Sequence, residues 1–283
     1  MKKIEFTKMH GIGNDYIYID CFKQDIDDPA RLARIMSPRR TSVGSDGVIL
    51  ICPSDVADAK MRMFNLDGSE GKMCGNGIRC VGKYIYDTGI AHKDTLTVET
   101  LSGIKTLEVT AENGKAVSLT VDMGEPILTP KDIPVIFDGD RMINEPVDVK
   151  GKIYNMTAVS MGNPHAVVFC DDVQKLDLEK IGPDFEYNPI FPEQVNTEFI
   201  RVIDRKTLEM RVWERGSGET FACGTGACAA AVAAILNGFC DKGSEITVHL
   251  KCGDLMITYA GNSHIYMRGA AEKVYDGVYE YEP

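Results

Sequence analysis

Residues 62–77, RMFNLDGSEGKMCGNG, and residues 211–226, RVWERGSGETFACGTG, are two versions of one stretch. At a constant offset of 149 residues, Arg62 lies over Arg211, Glu70 over Glu219, Cys74 over Cys223, Gly75 over Gly224 and Gly77 over Gly226. The register holds outward from there. It pairs Asn14 with Asn163 and Asn65 with Glu214, and it pairs Gly89 with Gly238, each closing the apolar run after its CGxG. One offset serving several separated segments indicates duplication, with a period far above the ~20–50 residues of a solenoid repeat. Two similar halves with a cysteine at equivalent positions suggest two facing sulfurs, one on each side of a single cleft.

Composition fits two ordinary domains. The chain has 283 residues, 44% hydrophobic and 26% charged, enough for each half to bury its own core. A net charge of −11 without a dense Lys/Arg stretch argues against nucleic acid and favours a small polar ligand. The start, MKKIEFTKMHGIGND, has no apolar run after its lysines, and no later segment approaches the ~20 apolar residues of a membrane span. A cytoplasmic protein with no membrane partner is expected. The nine cysteines are odd in number and form no CxxC, which argues against a disulfide framework or zinc ribbon. Cys80 and Cys228, inside apolar runs, read as packing. Cys21, Cys52, Cys170, Cys240 and Cys252 show no chemical neighbours. His10, His92, His249 and His264 have no metal-ligand spacing, so no metal is expected.

The alternating segments TLTVE (95–99), VSLTV (117–121), ITVHL (246–250) and HIYMR (264–268) read as strands. Helices are expected at GIRCVGKYIYD (77–87) and GACAAAVAAILN (226–237), stopped by Gly89 and Gly238. Shorter ones are expected near 29–37 and 172–182. The fold class is α+β: each half is mostly sheet around one apolar central helix. The boundary is placed near MGEPILTPKDIP (123–134), giving domains 1–123 and 124–265, the first joined by a C-terminal strand near 266–283.

A cysteine leading through Gly-x-Gly into a helix sits where unpaired backbone N–H groups and the positive end of the macrodipole converge. That position lowers a thiol's pKa from its usual ~8.5, and the glycines admit a bound carboxylate to the same N–H groups. Two such groups suit inversion at a carbon bearing hydrogen: one sulfur removes the proton and the other returns it to the opposite face. The symmetry breaks at Asn65/Glu214 and at Leu66/Arg215. Only the second half supplies a guanidinium, suited to grip a distal carboxylate. Asn14, Asn163 and Asn196 offer amides to ammonium and carboxylate groups. His165, opposite Tyr16, or Glu214 is placed to tune a thiol.

The blocks MHGIGNDY (9–16), FNLDGSEGKMCGNGIRC (64–80), SMGNPH (160–165), VNTEF (195–199) and WERGSGETFACGTGACAA (213–230) resemble the diaminopimelate epimerases. The resemblance implies an isomerase, without cofactor and independent of pyridoxal phosphate, that interconverts LL- and meso-diaminopimelate on the route to lysine and peptidoglycan; a homodimer is one assembly it admits, and the sequence does not fix the oligomeric state. It implies two pseudo-symmetric domains, each a curved, mostly antiparallel sheet or barrel around a central helix, with the active site in the interdomain cleft. Carried over by position, Cys74 and Cys223 are the catalytic pair. Asn14, Asn65, Gly75, Asn76, Asn163, Asn196, Glu214, Arg215, Gly224 and Thr225 are substrate-binding, and His165 and Glu214 modulate the thiols. Gly47 departs from the pattern, since many relatives place a substrate-touching glutamine there. Two alternatives stay open: a related proline or hydroxyproline racemase, and a thiol redox or ligand-binding protein.

Overall fold

A computed structural model describes residues 1–282, with eighteen strands and four α-helices among them. The chain divides into two compact units. Unit 1 is Met1–Val121 together with the stretch from Arg268 onward, and unit 2 is Asp122–Met267. The expected α+β class is what the chain adopts.

Unit 1 opens with β1 (Lys2–Gly11), β2 (Asn14–Asp20), α1 (Pro29–Met36), β3 (Gly47–Cys52), β4 (Ala59–Asn65) and the short β5 (Glu70–Gly71). It continues through α2 (Gly75–Asp87), β6 (Thr95–Thr100), β7 (Gly103–Glu112) and β8 (Lys115–Gly124). After β9 (Glu145–Val149) the same order returns in β10 (Lys152–Ser160), β11 (Pro164–Phe169), α3 (Leu178–Glu186), β12 (Asn196–Asp204), β13 (Thr207–Glu214) and β14 (Gly218–Thr220). It is completed by α4 (Gly224–Leu236), β15 (Glu245–Leu250), β16 (Gly253–Tyr259) and β17 (Ile265–Ala270). Both ends of α2 and α4 keep the 149-residue spacing. The last strand, β18 (Glu272–Tyr281), pairs antiparallel with β1 in unit 1, the position β9 takes beside β10 in unit 2.

Most neighbouring strands are antiparallel. The parallel pairs are β2–β3 and β4–β6 in unit 1 and β11–β12 and β13–β15 in unit 2. Each joins strands between which the chain makes a helix, as a parallel connection requires. The central helices differ in how they are enclosed. Ile78, Val81 and Ile85 of α2 are buried while Lys83 and Tyr84 are partly exposed. In α4, Ala227 to Ala234 are all fully enclosed, because small side chains let strands approach on every side.

Two satellite helices cover the sheets. In unit 1, Leu32 and Met36 of α1 join Ile17, Val48 and Phe64 in one cluster, each large buried side chain adding roughly 1.5–3 kcal/mol. In unit 2, Phe185 of α3 packs edge-on to Phe199 and Tyr154. Helix α3 begins at Leu178, later than the expected 172–182. Asp172 instead caps the N–H of Gln174, and Leu176 closes a turn on Val173. The pair Gly182–Pro183 reads as a stop but lies inside the helix. Gly182 is needed there, since a Cβ would fall 2.2 Å from the Trp213 indole.

Candidate active site

Cys74 and Cys223 occupy the same place in their units. Each is the N-cap of its central helix, in extended conformation (φ −132° and −116°). Each sulfur accepts the N–H of the third helical residue, Gly77 or Gly226, at 3.3 Å. Ser, Thr, Asp or Asn normally makes this bond. Sulfur in that role forgoes some helix stabilisation and gains a thiol held at the positive end of a helix. The glycines sit in crowded places: a Cβ at Gly77 would lie 2.6 Å from Ile49 Cδ1, and one at Gly226 2.6 Å from Glu198 Oε1, so either side chain would have to shift.

Around Cys74, unit 1 gathers mostly neutral groups. The thiol donates to Asn14 Oδ1 at 3.3 Å, and Asn14 Nδ2 donates to Asp46 at 2.7 Å. Asp46 is in turn held by Arg39. The Tyr16 hydroxyl is bonded to Asn14 and Cys74, and burial first, then the sulfur, pushes the phenol well above its ordinary range. Asn65, at the end of β4, donates to Ser69 at 3.0 Å, and Asn76 is buried with its amide oxygen on Arg79. Gly47 cannot carry the glutamine of the family pattern on this backbone, because its Cβ would meet the Phe64 carbonyl at 2.1 Å.

Unit 2 surrounds Cys223 with ionisable groups. His165 Nδ1 meets Glu198 Oε1 at 2.7 Å and its Nε2 meets Asn163 Oδ1 at 3.1 Å. Asn163 Nδ2 donates to Thr225 Oγ1 at 3.4 Å, which lies 3.5 Å from Cys223 Sγ. The Glu214 carboxylate accepts from the Thr220 hydroxyl and also reaches Cys223. Burial, then the Glu214 charge, then Glu198, drive the Cys223 thiol well above its usual range, against the hydrogen bonds of Thr225 and the Gly226 N–H. Burial likewise raises the Glu214 carboxyl, with Thr220 opposing it.

Asn196 and Arg215 are tied to the same neighbourhood by backbone contacts. Asn196 donates to the Pro164 carbonyl at 2.8 Å and accepts the Arg215 N–H at 3.0 Å, so both ends of its amide are engaged. The Arg215 guanidinium is exposed, donates to the Glu193 carbonyl at 2.8 Å and makes no ion pair among the described residues. The hairpin that carries Glu214 and Arg215 is pinned by buried Glu186, which accepts from Trp213 Nε1 at 2.7 Å and from the Gly216 N–H at 2.8 Å.

Sequence reasoning missed Glu186, Glu198 and the role of Tyr16. The signal for Glu198 was present: a single acid within the apolar strand VNTEFI. Cys21 and Cys52 also differ from expectation, since they are hydrogen-bonded neighbours in unit 1. The Cys52 sulfur accepts from Cys21; that bond, with Arg62 and Lys60 nearby, holds Cys52 below the usual thiol range, and it pushes Cys21 far above it. A cavity of about 740 Å³ in unit 1, bordered by Tyr84 and Asp87 of α2, contains none of the candidate residues. Among the described residues, no helix is long and apolar enough to cross a membrane.

The fold has solved counterparts. A probable proline racemase from Agrobacterium radiobacter superposes with a TM-score of 0.70 over 99% of this chain and 93% of its own, at 14% identity. The fold is therefore shared with that protein. The family model for diaminopimelate epimerase matches residues 6–129 and 157–274, one stretch in each half of the repeat. The diaminopimelate epimerase of Acetivibrio thermocellus is 55% identical over 97% of this chain and 98% of its own length. That of Methanococcus maripaludis is 54% identical over 97% and 99%. The chain belongs to the diaminopimelate epimerase family, and it is an isomerase.

Proposed function

We propose that this chain interconverts LL- and meso-diaminopimelate for lysine and peptidoglycan precursors, using Cys74 and Cys223 as its two acid–base groups and no cofactor. The observation that carries the mechanism is the matched pair of helix-capping sulfurs, one contributed by residues 1–123 and the other by 124–265.

In this reading, one sulfur enters as thiolate and takes the α-proton, leaving the electron pair on the α-carbon. The other, a thiol, delivers its proton to the opposite face, and the product leaves with the roles of the sulfurs exchanged. Turnover needs one thiolate and one thiol, so the two titrations are coupled. Burial and two carboxylates favour the thiol at Cys223, and which sulfur acts as base depends on the direction of reaction. The N–H groups at Gly75–Asn76 and Gly224–Thr225 face charge that develops beside the α-carboxylate, where preorganised donors lower a barrier most. The unpaired Arg215 takes the distal carboxylate, and Asn14, Asn65, Asn163, Asn196 and Glu214 hold the ammonium and carboxylate groups. A homodimer in the cytoplasm belongs to the same reading.

The proline-racemase alternative is not favoured, because its likeness is one of fold at 14% identity while full-length relatives at 54–55% are diaminopimelate epimerases. The test is a substrate panel of LL-diaminopimelate, proline and hydroxyproline, with the product's stereochemistry resolved by chiral chromatography. Epimerisation of diaminopimelate alone is expected. Faster racemisation of proline would sink the substrate assignment and leave the two-thiol chemistry intact.

A further inference from the structure

Unit 2 holds a buried carboxylate that proton transfer by the two sulfurs leaves unused. Glu198, on β12, is fully enclosed, and its Oε2 has no hydrogen-bond partner among the described residues. A carboxylate buried with one oxygen unpaired is unfavourable enough to need a reason. Its other oxygen faces His165 Nδ1 and lies against the first turn of α4, beside Gly226. At positions 149 residues earlier, unit 1 has Ile49 for Glu198, Tyr16 for His165 and Asn65 for Glu214. There the atom crowding the helix glycine is a methyl, Ile49 Cδ1. The same fold thus places a methyl beside one helix-start glycine and a carboxylate beside the other, so packing alone does not call for the acid.

We propose that Glu198 is a positioning residue for Cys223, anchoring a hydrogen-bond chain through His165, Asn163 and Thr225 that fixes the direction of each bond and turns a hydroxyl donor toward the sulfur. The proposal rests on Cys223 being an acid–base group of the reaction. Its links are the four contacts Glu198–His165, His165–Asn163, Asn163–Thr225 and Thr225–Cys223. Oxygens face both ring nitrogens, so the chain is complete when both carry protons and donate. Asn163 then accepts with its carbonyl and presents its NH2 to Thr225, leaving the Thr225 O–H free to donate to sulfur. The groups that face Glu198 are His165 from β11, Glu214 from β13 and Cys223 at the start of α4. Glu198 supplies the negative charge that balances a doubly protonated ring. Without it Nδ1 loses its fixed acceptor, the ring is free to present Nε2 as an acceptor, and the Asn163 amide loses its fixed orientation.

The test compares Glu198→Gln, which keeps the shape, with Glu198→Asp, which keeps the charge. Two quantities are followed against pH: kcat for diaminopimelate epimerisation, and the His165 ring C–H signals by NMR in ligand-free protein. In the Gln variant kcat is expected to fall at least tenfold, with the alkaline limb of its pH profile displaced and the ring signals moved from their wild-type positions. The Asp variant is expected to keep the limb near its wild-type position. A Gln variant whose limb and ring signals stay in place overturns the proposal, whether or not kcat falls. A wild-type protein inactive on diaminopimelate, with ring signals that still shift in the Gln variant, supports the chain while defeating the functional reading.

Discussion

Cys223 sits between two opposing influences. Its place at the helix start, with the Gly226 N–H on the sulfur, favours the thiolate, whereas burial and the charges of Glu214 and Glu198 favour the thiol and win. The sign of one substitution follows. Removing the Glu214 charge lowers the thiol's pKa, so at pH 8 Glu214→Gln raises the thiolate fraction, and iodoacetamide should alkylate Cys223 several-fold faster than in the parent, as read by peptide mass spectrometry. An unchanged or slower rate would mean that Glu214 does not reach the sulfur electrostatically. Gly47 shows the limit of reading residues singly. Its departure from the family pattern was visible in VGSDGV, but its cause, the Phe64 carbonyl 2.1 Å from where a Cβ would lie, depends on the pairing of β3 with β4.

At the scale of elements, the central helices were legible because their starts and stops are local. Gly-rich sequence opens them, and Gly89 and Gly238, with φ of 79° and 76°, end them in the left-handed region. Helix α3 was placed too early because Asp172 caps the Gln174 N–H and a turn from Val173 to Leu176 follows, which an apolar period does not reveal, and because Pro183 is tolerated where Gly182 rests on Trp213. Glu186 was illegible for a related reason, since it looks like a surface charge until the partner strands are known, whereas Glu198 stood out within the apolar strand VNTEFI. Glu186 fastens the β13–β14 hairpin, and Glu186→Ala leaves the buried Trp213 N–H without its acceptor, a loss of about 1–3 kcal/mol, and releases the exposed Gly216 N–H as well. A melt is expected to show a lower Tm, with kcat/KM reduced because Glu214 and Arg215 are carried on that hairpin. A Tm equal to the parent's would show that the hairpin holds its place unaided.

Across the whole molecule, the 149-residue offset gave the element order of both units. The offset does not pair β18 with β1, since that strand has no counterpart at the same spacing; the expectation that a strand near 266–283 joins the first half stood apart from the repeat. Acid sensitivity is a property of the same scale. Burial opposes ionisation of Asp15, Asp58 and Glu219, but their hydrogen bonds to Arg39 and Lys8, to Lys93 and Thr97, and to Arg211 and Lys251 outweigh it and hold these carboxyls below their usual range. Groups depressed in the folded state contribute stability above their unfolded values, near ~4, and lose it as pH falls through the lower folded ones. Urea unfolding midpoints should therefore drop below about pH 4, and a midpoint unchanged down to pH 3 would contradict the assignment.

The central claim is that both sulfurs move protons at one carbon. Its most direct test is incubation of LL-diaminopimelate in heavy water with the parent protein, Cys74→Ala and Cys223→Ala, followed by stereochemical and deuterium analysis of the product. The parent is expected to give the meso isomer with deuterium at the inverted carbon, and each variant to lose epimerisation by about 10²-fold or more while keeping its fold. Parent-like inversion in either variant would show that the second thiol is not a base of the reaction.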